Sequence, residues 1–170
     1  MAVQYSQPVY STVVPVPVIT PEILLASAGE EEKSFSNHQT KNTPFEKQRP
    51  LRILIVEDEI LTADYTKYLL IELGYEVCGH ATNAVAAVRM ADNYRPDLIL
   101  MDITLGRGED GISAARRIGE QLGIRSLFVT AYGDRVTLER VQAVNPLGVV
   151  LKPFDKERLR SAIAAASFAS

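Results

Sequence analysis

The segment Leu98–Gly111, LILMDITLGRGEDG, runs four apolar residues into one carboxylate, Asp102, and then into a stretch with glycines at 106, 108 and 111. An unpaired buried ion costs several kcal/mol, on the order of what burial of a charge demands. Asp102 is therefore either the polar end of a strand or a reactive group at the strand's mouth. Three other apolar runs also end on polar residues. LRILIV leads into Glu57 and Asp58, LFV into Thr130, and GVVL into Lys152. Acids gathered at one place cannot all stay ionised without a counter-charge. A donor set made of oxygen, without Cys or His, favours Mg²⁺, held by Glu57, Asp58 and Asp102, with the backbone carbonyl of Thr104 as a further candidate. A lysine ammonium and a threonine hydroxyl both suit phosphate oxygens. Carboxylate, divalent cation, ammonium and hydroxyl form a set fit for phosphoryl transfer, with Asp102 as the nucleophile and an aspartyl phosphate as the product. Each residue type alone is commonplace at a strand end. Their joint occurrence carries the expectation.

These residues meet only if the right elements hold them. From Leu51 onward, short apolar runs alternate with segments of helical spacing. LRILIVE, YEVCGHA, DLILMD, RSLFVTA and LGVVLKP read as five strands. Between and after them stand helices over residues 60–73, stopped by Gly74, over NAVAAVRMADNY with Asn83 as cap, and over DGISAARRIGEQL, stopped by Gly123. A fourth helix spans 134–143 behind Asp134, and a fifth follows Asp155. In the first helix, Leu61, Tyr65, Tyr68 and Leu69 share one face. In the fourth, Val136, Leu138 and Val141 are expected mostly in the core. Such alternation predicts an α/β fold, a five-stranded parallel sheet with helices on both faces. Right-handed crossovers leave few arrangements, and the flavodoxin-like order 2-1-3-4-5 is expected. Strands one and three are then neighbours, and a site is expected at the carboxyl ends of the strands.

The bulk composition agrees with one such domain. The chain has 170 residues, 46% of them hydrophobic, and a formal charge of −3 that offers no basic footprint for nucleic acid. No apolar run is long enough to cross a bilayer and no secretion signal is legible, so a cytoplasmic location is expected. The single cysteine, Cys78, precludes an internal disulfide and reads as a small core residue. Residues 1–50 differ: six of the nine prolines lie there, in runs such as VVPVPVITP and the polar SFSNHQTKNTP, which contains a solvated His38. This extension is expected to be largely disordered, with TPEILLASA able to form a short helix. The domain proper is expected over 51–170.

The motifs ILIVEDE, LILMDITL with its following DGI, FVTAY and VVLKPF resemble the receiver domain of bacterial two-component response regulators. The likeness runs from residue 51 to residue 168. It implies that Asp102 is phosphorylated by a sensor histidine kinase or a histidine phosphotransfer protein. It further implies that Glu57 and Asp58 hold Mg²⁺ directly or through water, that Thr130 and Lys152 contact the phosphoryl group, and that the Lys152–Pro153 bond is cis. Such domains often carry an aromatic three residues before the lysine, which rotates inward with the hydroxyl residue. This chain has Val149 there, and Tyr132 is the candidate to take over part of the switching. The stretch LFVTAYGD also resembles a subgroup with a FATGY-type fourth strand.

No basic helix–turn–helix or catalytic output module follows the fifth helix, so a single-domain receiver is expected, a monomer or weak homodimer. It would act by protein–protein binding as a shuttle, a sink or a regulator docking on a downstream target. Its catalysis would be confined to its own phosphorylation and dephosphorylation. The alternative is a pseudo-receiver that binds partners without regard to phosphate, mildly favoured by Val149. A third class, an Mg²⁺-dependent phosphatase of the haloacid dehalogenase type, would carry a second acid two residues after the nucleophile. Thr104 stands there instead.

Overall fold

The computed structural model describes residues 49–106 and 108–168. The extension up to residue 48, with the expected short helix and His38, lies outside the described residues. The elements are β1 (Arg52–Val56), α1 (Ile60–Glu72), β2 (Glu76–Ala81), α2 (Ala84–Tyr94), β3 (Leu98–Met101), α3 (Gly111–Leu122), β4 (Ser126–Thr130), α4 (Arg135–Gln142), β5 (Gly148–Leu151) and α5 (Lys156–Phe168). The strands are parallel, in the order β2-β1-β3-β4-β5. This is the topology expected from the alternating pattern.

The strands are short continuous apolar runs because both of their faces are covered. Successive side chains of β1 point to opposite sides. Ile53 and Ile55 pack with Leu70, Leu159 and Ile163 on the side of α1 and α5. Leu54 and Val56 pack with Ala87, Ile118, Phe128 and Val141 on the side of α2, α3 and α4. Burying one such aliphatic side chain stabilises the fold by about 1.5–3 kcal/mol. Cys78 packs half-buried against the second of these clusters and is free.

Local signals fix the helix starts. Asn83 accepts a hydrogen bond from the Ala86 N–H at 2.9 Å, Asp134 from Thr137 N–H at 3.0 Å, and Asp155 from Arg158 N–H at 2.8 Å. Asp110 does the same for α3 through Ser113 N–H at 2.9 Å. Each satisfies an amide with no intrahelical partner.

Three details differ from expectation. The core face of α1 is Ala63, Thr66, Leu69 and Leu70, while Leu61, Tyr65 and Tyr68 are exposed at 78%, 49% and 57%. Apolar side chains stand on opposite sides of this helix, and a threonine, Thr66, lies on the buried one, so spacing alone could not select its buried face. On α4 only Val141 is buried; Leu138 is half-buried and Val136 exposed. Arg49, assigned to the extension, grips Asp97 with both guanidinium nitrogens at 2.6 and 2.7 Å and so belongs with the domain.

Candidate functional site

Three of the polar residues singled out stand one step beyond a strand, still held by the ladder of backbone bonds. Glu57 N–H donates to Ala81 O at 2.9 Å, Asp102 N–H to Val56 O at 2.9 Å, and Lys152 N–H to Thr130 O at 2.8 Å. Strand geometry thus fixes their backbones at the carboxyl edge of the sheet. Their side chains turn toward one another. Lys152 Nζ donates to Glu57 Oε2 at 2.6 Å and to Asp102 Oδ2 at 2.9 Å. One carboxylate oxygen each from Glu57, Asp58 and Asp102 lies within 4.8 Å of the other two.

Burial sharpens the electrostatics. Glu57 and Asp102 are 6% and 8% exposed, whereas Asp58 is open to solvent. Burial pushes the Glu57 carboxyl up; the Lys152 hydrogen bond opposes this and the Asp102 charge adds to it. Burial works against the Lys152 ammonium as well, yet the hydrogen bonds and charges of Glu57 and Asp102 together outweigh it and raise the lysine. The lysine is a counter-ion to two carboxylates, and the third acid leaves the cluster with an excess of negative charge. Three oxygen donors so placed suit a hard divalent cation such as Mg²⁺.

The other residues singled out lie around this cluster. Thr104 N–H donates to Asp102 Oδ1 at 3.2 Å, which holds Thr104 against the carboxylate. Thr130 is fully buried, and its Oγ1 accepts the Tyr132 N–H at 3.1 Å. The Tyr132 ring is 55% exposed. Val149 is half-buried, opposite Phe128 in the sheet register, and packs on the α2–α3–α4 side. The Lys152–Pro153 peptide is cis.

Several contributors went unread in the sequence. His80, on β2, lies with Nε2 2.7 Å from Glu57 O. A carbonyl only accepts, so Nε2 carries the hydrogen. Only the pairing of β2 with β1 brings it there. Gly111 opens α3 directly against the backbone of Asp102: a Cβ at this position would lie 1.8 Å from Asp102 O. The sequence placed Gly111 at the start of this helix but gave no sign of its contact with Asp102. Finally, Arg140 of α4 forms an ion pair with Asp110, tying α4 to the cap of α3.

Residues 53–164, more than half of the chain, match the family model described as the response regulator receiver domain. The chain belongs to the response regulator receiver family. Among relatives of this receiver, the transcriptional regulatory protein PdtaR of Mycobacterium tuberculosis is 36% identical over 114 residues, covering 67% of this chain and 55% of that protein. The chain thus spans about half the length of that relative. The chemotaxis protein CheY of Bacillus subtilis is 33% identical, over 66% of this chain and 93% of its own. Among solved structures, the signal receiver domain of a modulated diguanylate cyclase from Desulfovibrio desulfuricans superposes with a TM-score of 0.65 at 36% identity, covering 69% of this chain and 94% of that one. No helix of the described residues is long and apolar enough to cross a membrane.

Proposed function

We propose that this receiver is a phosphoacceptor in a two-component phosphorelay. Asp102 takes a phosphoryl group from a phosphohistidine, on a sensor histidine kinase or a histidine phosphotransfer protein, and the phosphorylated form acts by binding a downstream protein. The observation that carries this reading is Lys152 Nζ lying between Glu57 and Asp102, with Asp58 completing a three-carboxylate set.

The step is an in-line displacement. A carboxylate oxygen of Asp102 bonds to phosphorus while the P–N bond breaks, and the electron pair leaves with the donor imidazole. A magnesium ion held by Glu57, Asp58 and Asp102, with the Thr104 carbonyl as a further ligand, would supply charge neutralisation on the transferred group. Asp102 is held rigidly by the β3 edge and so needs little reorganisation to attack. Lys152 already touches Asp102 Oδ2 and shifts to a phosphoryl oxygen. Thr130 Oγ1 accepts from Tyr132 N–H and keeps its own proton to donate to a second phosphoryl oxygen. Movement of Thr130 then pulls on the Tyr132 backbone through that bond, which supports Tyr132 as the aromatic residue that reports the change, since position 149 carries an aliphatic valine. The exposed Leu61, Tyr65 and Tyr68 of α1 offer an apolar footing for a helical phosphodonor near the carboxyl edge. We place the protein in the cytoplasm, where such donors present their histidines, as a monomer or weak homodimer.

Val149 favours the second reading, a binding module indifferent to phosphate. Incubation with acetyl phosphate and Mg²⁺, followed by intact mass, separates the possibilities. One stable phosphoryl adduct, absent in Asp102→Ala, is the expected result. No adduct would favour the phosphate-indifferent module, and multiple turnover of a small phosphate ester would favour a phosphatase.

A further inference from the structure

β2 carries a residue that reaches the acid cluster without being one of its acids. The pairing of β2 with β1 is regular except between Ile53 and Leu54, where the partners step from Val77 to Gly79 and leave Cys78 as an extra residue. Val77 packs on the α1–α5 side, Cys78 packs on the α2–α3–α4 side, and a Cβ at Gly79 would meet Met90 and Tyr94 of α2. Cys78 and Gly79 thus share one face, although successive strand residues normally alternate. The extra residue turns His80 from the α2 side to the α1 side, the face of its partner Ile55. Bulges recur beside active sites, where they re-aim a side chain in this way.

The imidazole so aimed ends on the main chain of the acid pair. His80 Nε2 donates to Glu57 O at 2.7 Å, and Glu57 N–H donates to Ala81 O at 2.9 Å, so β2 holds Glu57 on both sides. The Glu57 carbonyl belongs to the planar peptide group that continues into Asp58, so the imidazole sets the plane from which Asp58 departs. Little else holds Asp58. It is exposed, and among the described residues it makes no hydrogen bond or ion pair of its own. Glu57 and Asp102, by contrast, are each bonded to Lys152 Nζ. A Cβ at Gly106 would lie 3.3 Å from Asp58 Oδ2, so this carboxylate faces the loop that follows Asp102.

We propose that His80 is a positioning residue that fixes Asp58 and thereby makes the site prefer Mg²⁺ to the larger Ca²⁺. The inference rests on the reading that Glu57, Asp58 and Asp102 hold a divalent cation. Mg²⁺ demands a near-ideal octahedron with short bonds, whereas Ca²⁺ accepts a looser and more variable shell of oxygens. An Asp58 free to swing therefore penalises Mg²⁺ more than Ca²⁺. Partners that orient a metal's ligands are worth about 10–100-fold in affinity, and one acting through the main chain belongs at the lower end.

Isothermal titration of the full chain with MgCl₂ and with CaCl₂, without a phosphodonor, tests this. His80→Phe keeps a ring and removes the N–H. It should weaken Mg²⁺ binding about tenfold and Ca²⁺ binding less than about threefold, and His80→Ala should do the same. His80→Gln, whose side-chain amide can still donate to Glu57 O, should keep Mg²⁺ affinity within about threefold of the wild type. Urea unfolding in EDTA shows that each variant is folded before it is titrated. Mg²⁺ affinity in His80→Phe and His80→Ala equal to that of the wild type would overturn the proposal. So would an equal loss of both cations, which marks a merely structural role, or a glutamine variant as weak as the phenylalanine one. A wild type that binds no Mg²⁺ overturns the metal reading itself together with this one, whereas a wild type that binds Mg²⁺ no better than its His80 variants overturns the role of His80 alone.

Discussion

Replacing Lys152 with methionine removes the cation that, among the described residues, is bonded to both buried carboxylates, Glu57 and Asp102. Glu57 and Asp102 then face each other, with Asp58 beside them and no counter-charge. Breaking a buried ion pair from one side costs about 3–5 kcal/mol. The Lys152 side chain is 19% exposed and the edge opens to water, so the lower end of that range applies, roughly 3 kcal/mol in EDTA near neutral pH. Urea unfolding should show this as a fall in midpoint at constant slope. The pH dependence has a definite sign. In the wild type, Lys152 is raised in the folded state, so its contribution is fully present below the ordinary lysine value and is lost only as pH rises through the folded one. In the variant, Glu57 loses the hydrogen bond that opposed its upward shift and rises further. The folded state then binds a proton more tightly than the unfolded state, so the deficit should shrink on acidification toward about pH 5. Mg²⁺ should also stabilise the variant, by about 2.7 kcal/mol at a hundredfold excess over its dissociation constant. An unfolding midpoint in EDTA equal to that of the wild type, or a deficit that does not change with pH, would refute the electrostatic account of the cluster.

Three more outcomes follow from individual contacts. Gly111→Ala places a methyl on the Asp102 carbonyl, so the loop must shift; a loss of at least about 3 kcal/mol in urea unfolding is expected, with phosphorylation impaired in whatever folds. Asp97→Asn removes the carboxylate that holds Arg49 and the Arg52 amide and should cost about 1–2 kcal/mol near neutral pH. The Arg49 hydrogen bond lowers Asp97, so its contribution is present above the ordinary carboxylate value and is lost as pH falls through the folded one; the wild-type and variant stabilities should converge below about pH 4. Leu61→Asp, on the exposed face of α1, should slow phosphotransfer from a phosphohistidine donor by about tenfold or more and leave the reaction with acetyl phosphate unchanged, since only the former needs docking.

The strands were legible because a strand buried on both faces is a continuous apolar run, and the first polar residue after it marks its end. That is why Glu57, Asp102 and Lys152 could be placed at one edge from sequence. The helix starts were legible because Asn83, Asp134 and Asp155 cap them by purely local bonds. What could not be read depends on pairing across the sheet or on backbone proximity. The His80 contact to Glu57 O needs the β2–β1 register. The role of Gly111 needs the path of α3 over Asp102. The core face of α1 failed for a different reason: Leu61, Tyr65 and Tyr68 form an apolar-bodied stripe opposite the buried Ala63, Thr66 and Leu70, so hydrophobic spacing did not say which side faces inward. Arg140 and Asp110 are 30 positions apart, and nothing in the sequence around either points to the other.

The central claim is that the carboxylate of Asp102, and no other group, accepts phosphorus. Peptide mapping after treatment with acetyl phosphate and Mg²⁺ tests it most directly. A single phosphoryl group on the peptide containing Asp102, labile to hydroxylamine as an acyl phosphate must be and dependent on Asp58, is the predicted result. Phosphate on any other residue, or an adduct that resists hydroxylamine, would contradict it.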